Sequence, residues 1–379
     1  MPRSLLFVRV TMILAGALFL PRPARAQTAQ TDDLLLRDFR PRTMMKASAH
    51  EIVRAAFPVV DVHNHVNDAR GGARVPVPEL LARMDRLNIA RLVILTGGFG
   101  DKLEKVLDET ARPHPDRFTV FTQIDWSRFD ERGFGDAMAR QIRESVARGA
   151  RGLKILKELG LGVRDKEGRL VTVDDPRLDP VWAECGRLGI PVAIHTSDPD
   201  AFFEPVDATN ERWDELGRHP EWSFHGKDFP EKRALLDARN RVFAKHPATT
   251  FIALHVANHA EDLEDASAVL DRYPNVVVET GARQAELGRQ PRGAGDFFLR
   301  YQDRILFGTD FRPEEAMYRN WFRWLETADE HFEYWNHPDQ GRWRIYGLDL
   351  PREVLEKVYG RNAERIFANF AAHRRKDYP

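Results

Sequence analysis

Eight short runs of apolar and β-branched residues recur along the chain, each followed by turn residues and then by a helical pattern. They are FPVVDVH at 57, RLVILT at 91, FTVFTQID at 118, RGLKILK at 151, PVAIHT at 191, FIALHV at 251, NVVVET at 275 and RILFGTD at 304. The runs are near-continuously apolar rather than alternating, which is the pattern of parallel strands buried on both faces. Eight βα units of about 30 residues in series predict an α/β chain whose economical closure is a (β/α)8 TIM barrel. Between runs three and four, Met138, Ile142 and Val146 recur at i, i+4 and i+8 while Arg140 and Arg143 lie on other faces, so one face of that helix is predicted to be buried. Asp179-Pro180 signals a helix start and Gly189 its stop.

Two stretches exceed this cadence and are predicted as insertions after strands 5 and 8. The first, 197–250, includes DPDAFFEPVDATNERWDEL, which carries Trp213 and two Phe, and is expected to wall or cover one barrel mouth. The second, 312–350, holds Trp321, Trp324 and Trp335, which either line an aromatic pocket or pack a local core. Gly97-Gly98-Phe99-Gly100 lacks the spacing and first-strand position of a dinucleotide site and reads as a barrel-mouth loop.

The N-terminus changes the domain picture. Arg3 and Arg9 precede an apolar run from Val10 to Leu20, and Ala24-Arg25-Ala26 forms a cleavage site, so 1–26 reads as a secretory signal peptide cleaved after Ala26. The run is too short to span a bilayer core, so no membrane span is expected after cleavage and the protein is expected to be secreted or periplasmic. Residues 27–52 read as a linker ending in a short helix, and 53–379 as one barrel domain. The balance of 57 Lys+Arg against 58 Asp+Glu gives no basic excess, so no nucleic-acid partner is expected. A small-molecule substrate fits the barrel, and a homo-oligomer is compatible with everything in the sequence. One cysteine, Cys185, allows neither an internal disulfide nor a thiolate metal site. Any metal must therefore be held by His and carboxylates.

Run one ends in Asp61-Val62-His63-Asn64-His65, where i and i+2 share a face. The pair is either a metal half-site or two surface histidines on a loop. Run five closes with His195, run six with His255 and run eight with Asp310. In a barrel all five side chains reach the mouth formed by the strands' C-terminal ends, where barrel enzymes place their chemistry. That convergence argues for a metal site.

The DVHNH element, the strand-five and strand-six histidines, FGTDF and the closing YGRNAERIFA segment together resemble the metal-dependent amidohydrolase superfamily, in its amidohydrolase-related (amidohydrolase 2) branch, from Phe57 to Asn369. The resemblance implies that His63, His65, His195 and Asp310 bind one divalent metal, commonly zinc, and that His255 polarises substrate or water. Such a site implies a hydrolase of a small ester, lactone or amide, using metal-activated water with Asp310 as ligand and general base and His255 holding an oxygen as charge develops. Relatives of the branch also imply a non-oxidative decarboxylase as an alternative, and a non-catalytic binder on a retained barrel is a third reading. Lys154 is a substrate-carboxylate anchor, a carbamylated bridge between two metals, or a salt-bridge residue; Lys157 should face the other way. Arg312 is a candidate carboxylate clamp.

Overall fold

Each of the eight runs contains a strand, because each is bounded by turns and offers two apolar faces. In the computed structural model, which describes residues 34–35, 38–67 and 75–368, these are β1 Val59–Asn64, β2 Ile89–Ile94, β3 Phe118–Val120, β4 Leu153–Ile155, β5 Val192–Ile194, β6 Phe251–Ala253, β7 Val276–Glu279 and β8 Ile305–Leu306. All pairings are parallel, in ladders β1-β2-β3 and β4-β5-β6-β7-β8. Both seams between the ladders carry backbone hydrogen bonds. At one, Thr122 N donates to Gly152 O and Lys154 N to Thr122 O, each at 2.8 Å; at the other, Val62 N donates to Phe307 O at 3.0 Å and Thr309 N to His63 O at 2.9 Å. The ring is a (β/α)8 barrel.

Side-chain alternation sorts the strands into two cores. Val60, Val62, Val93, Ala193, Ile252 and Val277 meet in the lumen, which Ala363 and Ile366 from the helix over 362–368 also enter. The intervening residues, such as Leu92, Leu153 and Ile194, face outward and pack against the helices. The Phe134–Arg148 helix buries Met138, Ile142 and Val146 as the spacing predicts, and Asp179–Leu188 ends on Gly189 at φ 67. A left-handed C-cap of that kind favours glycine.

The stretch after β8 builds core. Its Glu315–Glu326 helix buries Trp321 and Trp324 completely, with their rings perpendicular at 5.4 Å and Trp321 against Phe307 at 5.8 Å. After β5 the chain forms the Trp213–Arg218 helix before the regular barrel helix Lys232–Lys245. The short helix expected before β1 does not form over 39–52. His50 N, a donor that such a helix would use internally, instead reaches Asp329 Oδ2 at 2.7 Å, and just beyond the segment Ala55 N donates to Leu87 O at 3.2 Å and Ala56 N to Glu326 Oε1 at 3.1 Å.

The chain divides into the units Met1–Lys46 and Ala47–Pro379, and the barrel lies wholly in the second. The expected signal peptide falls outside the described residues. Among the described residues no helix is long and apolar enough to cross a membrane. Cys185 is buried and free, as one cysteine requires.

Candidate active site

At the C-terminal ends of β1, β5, β6 and β8 the five predicted residues meet. His63 Nε2 and His65 Nε2 both lie 2.8 Å from Asp310 Oδ1, so the paired histidines share one target as their spacing demands. Asp310 Oδ2 faces His255 Nε2 at 3.9 Å, and that nitrogen is 3.3 Å from His195 Nδ1. His63, His255 and Asp310 bring donor atoms within 4.8 Å of one another. The trio contains His255 and neither His65 nor His195, the two further ligands that the resemblance implies.

The remaining ring nitrogens fix the tautomers. His255 Nδ1 is 2.7 Å from Gly281 O and His195 Nε2 is 2.9 Å from Ser197 O. A carbonyl only accepts, so these nitrogens carry the protons. Burial pushes His195 down to about 4 and His255 well below the usual imidazole range, so both rings are neutral. His195 Nδ1 and His255 Nε2 consequently aim lone pairs at each other. His63 Nδ1 donates to Glu279 Oε1 at 3.2 Å, which turns the lone pair of its Nε2 toward the Asp310 carboxylate. Lone pairs and a carboxylate converging on one space make a cation site, and the N/O donor set fits a divalent metal. Without that cation, protons serve: burial disfavours a charge on His63, yet Asp310 and Glu279 hold it up at about 9. Burial likewise opposes ionisation of Asp310, but the His63 charge and the bonds from both histidines hold it well below the carboxylate range.

The tautomers also alter the part that His255 can play. Holding a substrate oxygen requires a proton on Nε2, and that nitrogen is an acceptor here. His255 can donate from Nε2 only after accepting a proton there.

The backbone is shaped for the site. His255, Val256, Ala257 and Asn258 are successive left-handed residues at φ 58, 54, 56 and 56, and Asp310 sits at φ 63. Non-glycine residues in this region are uncommon, and several together at strand ends mark stored strain at a functional site. Two further carboxylates, absent from the sequence-level reading, support it. Glu279, fully buried at the end of β7, accepts from His63 Nδ1, from His255 N at 2.6 Å and from Gly281 N. Asp61 accepts from His63 N at 3.0 Å, Thr309 Oγ1 at 2.8 Å and Tyr318 Oη at 2.6 Å, while burial pushes it up to about 6. The available signal was a lone acidic residue within an apolar run, VVVET and VVDVH.

Lys154 enters the lumen beneath the cluster. Lys157 lies past the end of β4, with Nζ 2.5 Å from Asp198 Oδ2, whose Oδ1 is 3.5 Å from His195 Nε2. Arg312 instead lines an open cleft of about 410 Å³ with Arg83, Arg86 and Glu315, bordered by none of the five cluster residues. Gly98 and Gly100 have positive φ in the loop after β2.

The amidohydrolase family model matches residues 60–368. No curated protein matches the chain. Among solved structures it is similar to 2,6-dihydroxybenzoate decarboxylase from Rhizobium, at 17% identity over 82% of this chain and 99% of that one, with a TM-score of 0.53. It is also similar to a dihydroxybenzoic acid decarboxylase from Polaromonas sp. JS666 with bound manganese and 2-nitroresorcinol, at 16% identity over 82% and 97% and a TM-score of 0.51. An amidohydrolase II stands at 14% identity over 82% and 99%, also with a TM-score of 0.51. Those identities carry likeness of fold, whereas the family model spans most of the chain and the whole barrel. The chain belongs to the amidohydrolase family and is an enzyme of the amidohydrolase superfamily.

Proposed function

We propose that the protein is a metal-dependent hydrolase of a small ester, lactone or amide, with Asp310 as general base and His255 as its proton-relay partner. One observation carries the reading: Asp310 divides its oxygens, Oδ1 on His63 and His65 at 2.8 Å and Oδ2 toward the acceptor nitrogen of His255 at 3.9 Å. His63, His65, His195 and Asp310 would hold one divalent ion, zinc in this reading, which when bound supplies the Lewis acidity that brings a water's pKa toward ~7. Asp310, ionised, accepts the proton of the attacking water. His255 Nε2 takes the proton on and returns it to the leaving group, with Nδ1 fixed on Gly281 O throughout. The reading takes the mature chain as exported after cleavage at Ala26, acting on small molecules.

Non-oxidative decarboxylation is the second reading, favoured by the decarboxylases among the structural neighbours. It requires a group that delivers a proton to carbon, and Asp310, held ionised well below the usual carboxylate range, has no proton to deliver until it takes one up. Metal-loaded protein offered lactones, aryl esters, amides and aromatic acids, followed by acid release and by CO2 release, separates the two. Acid release without CO2 is expected; CO2 from an aromatic acid with no hydrolysis on the panel overturns the proposal.

A further inference from the structure

Lys154 on β4 pairs in register with Ala193 of β5, and that layer continues through Ile252 of β6 and Val277 of β7. Its neighbours Leu153 and Ile155 face the outer core, so the lysine side chain enters an otherwise apolar layer of the lumen, 3% exposed. Among the described residues no carboxylate lies within ion-pair distance of Nζ and no group accepts a hydrogen bond from it. Asp310, Glu279 and Glu158 act on it through space, and its charge in turn reaches His63 and His195. Lys157, three residues on and far more exposed, has Asp198 at 2.5 Å.

A buried ammonium without a direct partner is costly, and an anion entering from outside would relieve that cost. Ala363 and Ile366 of the closing helix also pack into the lumen, and the groups that Lys154 acts on in the cluster are His63, His195 and Asp310. Three neutral imidazoles and one carboxylate around a divalent ion would leave about one positive charge, and Lys154, which acts on Asp310, His63 and His195 through space, adds a second. A monoanion bridging the two meets both.

We propose that Lys154 anchors a carboxylate of the substrate, so that the enzyme acts on small acids bearing the scissile ester, lactone or amide bond and discriminates against neutral analogues. The inference rests on the hydrolytic reading of the same site and adds the charge of the substrate. The anchor fixes the substrate's acid end below the cluster and leaves its carbonyl beside Asp310 Oδ2 and His255. It also keeps Lys154 as an ammonium, with no carbamate.

The test is calorimetric titration of metal-loaded wild type and Lys154→Gln with benzoate and with benzamide, metal content being measured in both. Benzoate is expected to bind wild type and to weaken about ten- to a hundredfold in Lys154→Gln, the loss of one charge-assisted hydrogen bond. Benzamide affinity and metal content should stay within twofold, which a general collapse of the site would not allow. Equal benzoate affinity in the two proteins, no benzoate binding by wild type, or a carbamate signal on Lys154 by 13C NMR overturns the anchor. Turnover is read separately: hydrolysis of panel esters with unchanged benzoate binding sinks the anchor alone, and benzoate selectivity without hydrolysis sinks the hydrolytic reading alone.

Discussion

Asp310 and Glu279 illustrate how one residue serves several neighbours at once. In Asp310→Asn the amide oxygen can still face His63 and His65, so metal content should largely persist while the proton acceptor is lost. The expected fall in turnover is about 10² to 10⁴, the usual worth of a general base. A variant that keeps its metal and its rate would remove Asp310 from the chemistry. Glu279 can receive three donors only because Gly281 and Gly308 lack side chains; a Cβ on Gly281 would stand 2.6 Å from Glu279 Oε2, and one on Gly308 closer still. In Glu279→Gln an NH2 must face one of those donors and the lock on the His63 tautomer weakens. Metal affinity, measured by competition with a chelator, should drop about 10- to 100-fold. An unchanged dissociation constant would show that the carboxylate does not orient the ligand. The paired histidines were legible from spacing alone. Glu279 was not, since its place depends on glycines after two different strands, and one acidic residue ending an apolar run also reads as an ordinary strand end.

At the scale of elements, the stretch after β6 matters most. The run FIALHV reads from sequence as a strand delivering His255, and it does so, but it then reverses through four left-handed residues. Nothing local signals that reversal, because three of the four are residues that disfavour positive φ. It is imposed from outside: the Arg239 guanidinium donates to Ala257 O, Asn258 Nδ2 donates to Ser197 O at 2.7 Å, and Thr196 N donates to Asn258 Oδ1 at 3.1 Å. Asn258 thus ties the His255 turn to the segment after His195. Both Asn258→Ala and Asn258→Gly lose those side-chain bonds, but only alanine keeps the left-handed penalty. Alanine should therefore be the less stable variant by ~1 kcal/mol in urea unfolding. Equal stability would mean that the turn relaxes and the strain is not held. The helices were more legible, since Asp179-Pro180, Gly189 and the Met138 stripe act within their own segments. The helix expected before β1 was less so, since Asp329, distant in sequence, takes the His50 N–H that the helix would use internally.

At the scale of the molecule, the eight-run cadence was enough to read the barrel, whereas the way its insertions fasten was not, because that depends on charges brought together from separate segments. The stretch after β5 is joined to the helix after β6 by such a group. Lys232 Nζ is 2.5 Å from Asp200 Oδ1, His259 Nε2 is 3.6 Å from Asp200 Oδ2, and His259 Nδ1 is 2.9 Å from Asp265 Oδ2, which helps bind Arg233 through its other oxygen at 2.7 Å. Burial works against a charge on His259, but the bonds to Asp200 and Asp265 outweigh it and raise its pKa above the ordinary value of 6.5. A group whose pKa is raised on folding binds its proton more tightly in the folded state. Its contribution is therefore complete below the unfolded value, near 6.5, and is lost as pH rises through the folded one. The carboxylates of the group are depressed and stay ionised throughout that window, so they do not mask the effect. Wild-type stability should decline from about pH 6.5 upward relative to His259→Gln, which has no proton to lose. Urea midpoints of the two proteins at pH 6 and pH 8.5, at fixed metal and salt, measure this directly. Parallel pH dependence in wild type and variant would show that His259 does not fasten the insertion through its charge.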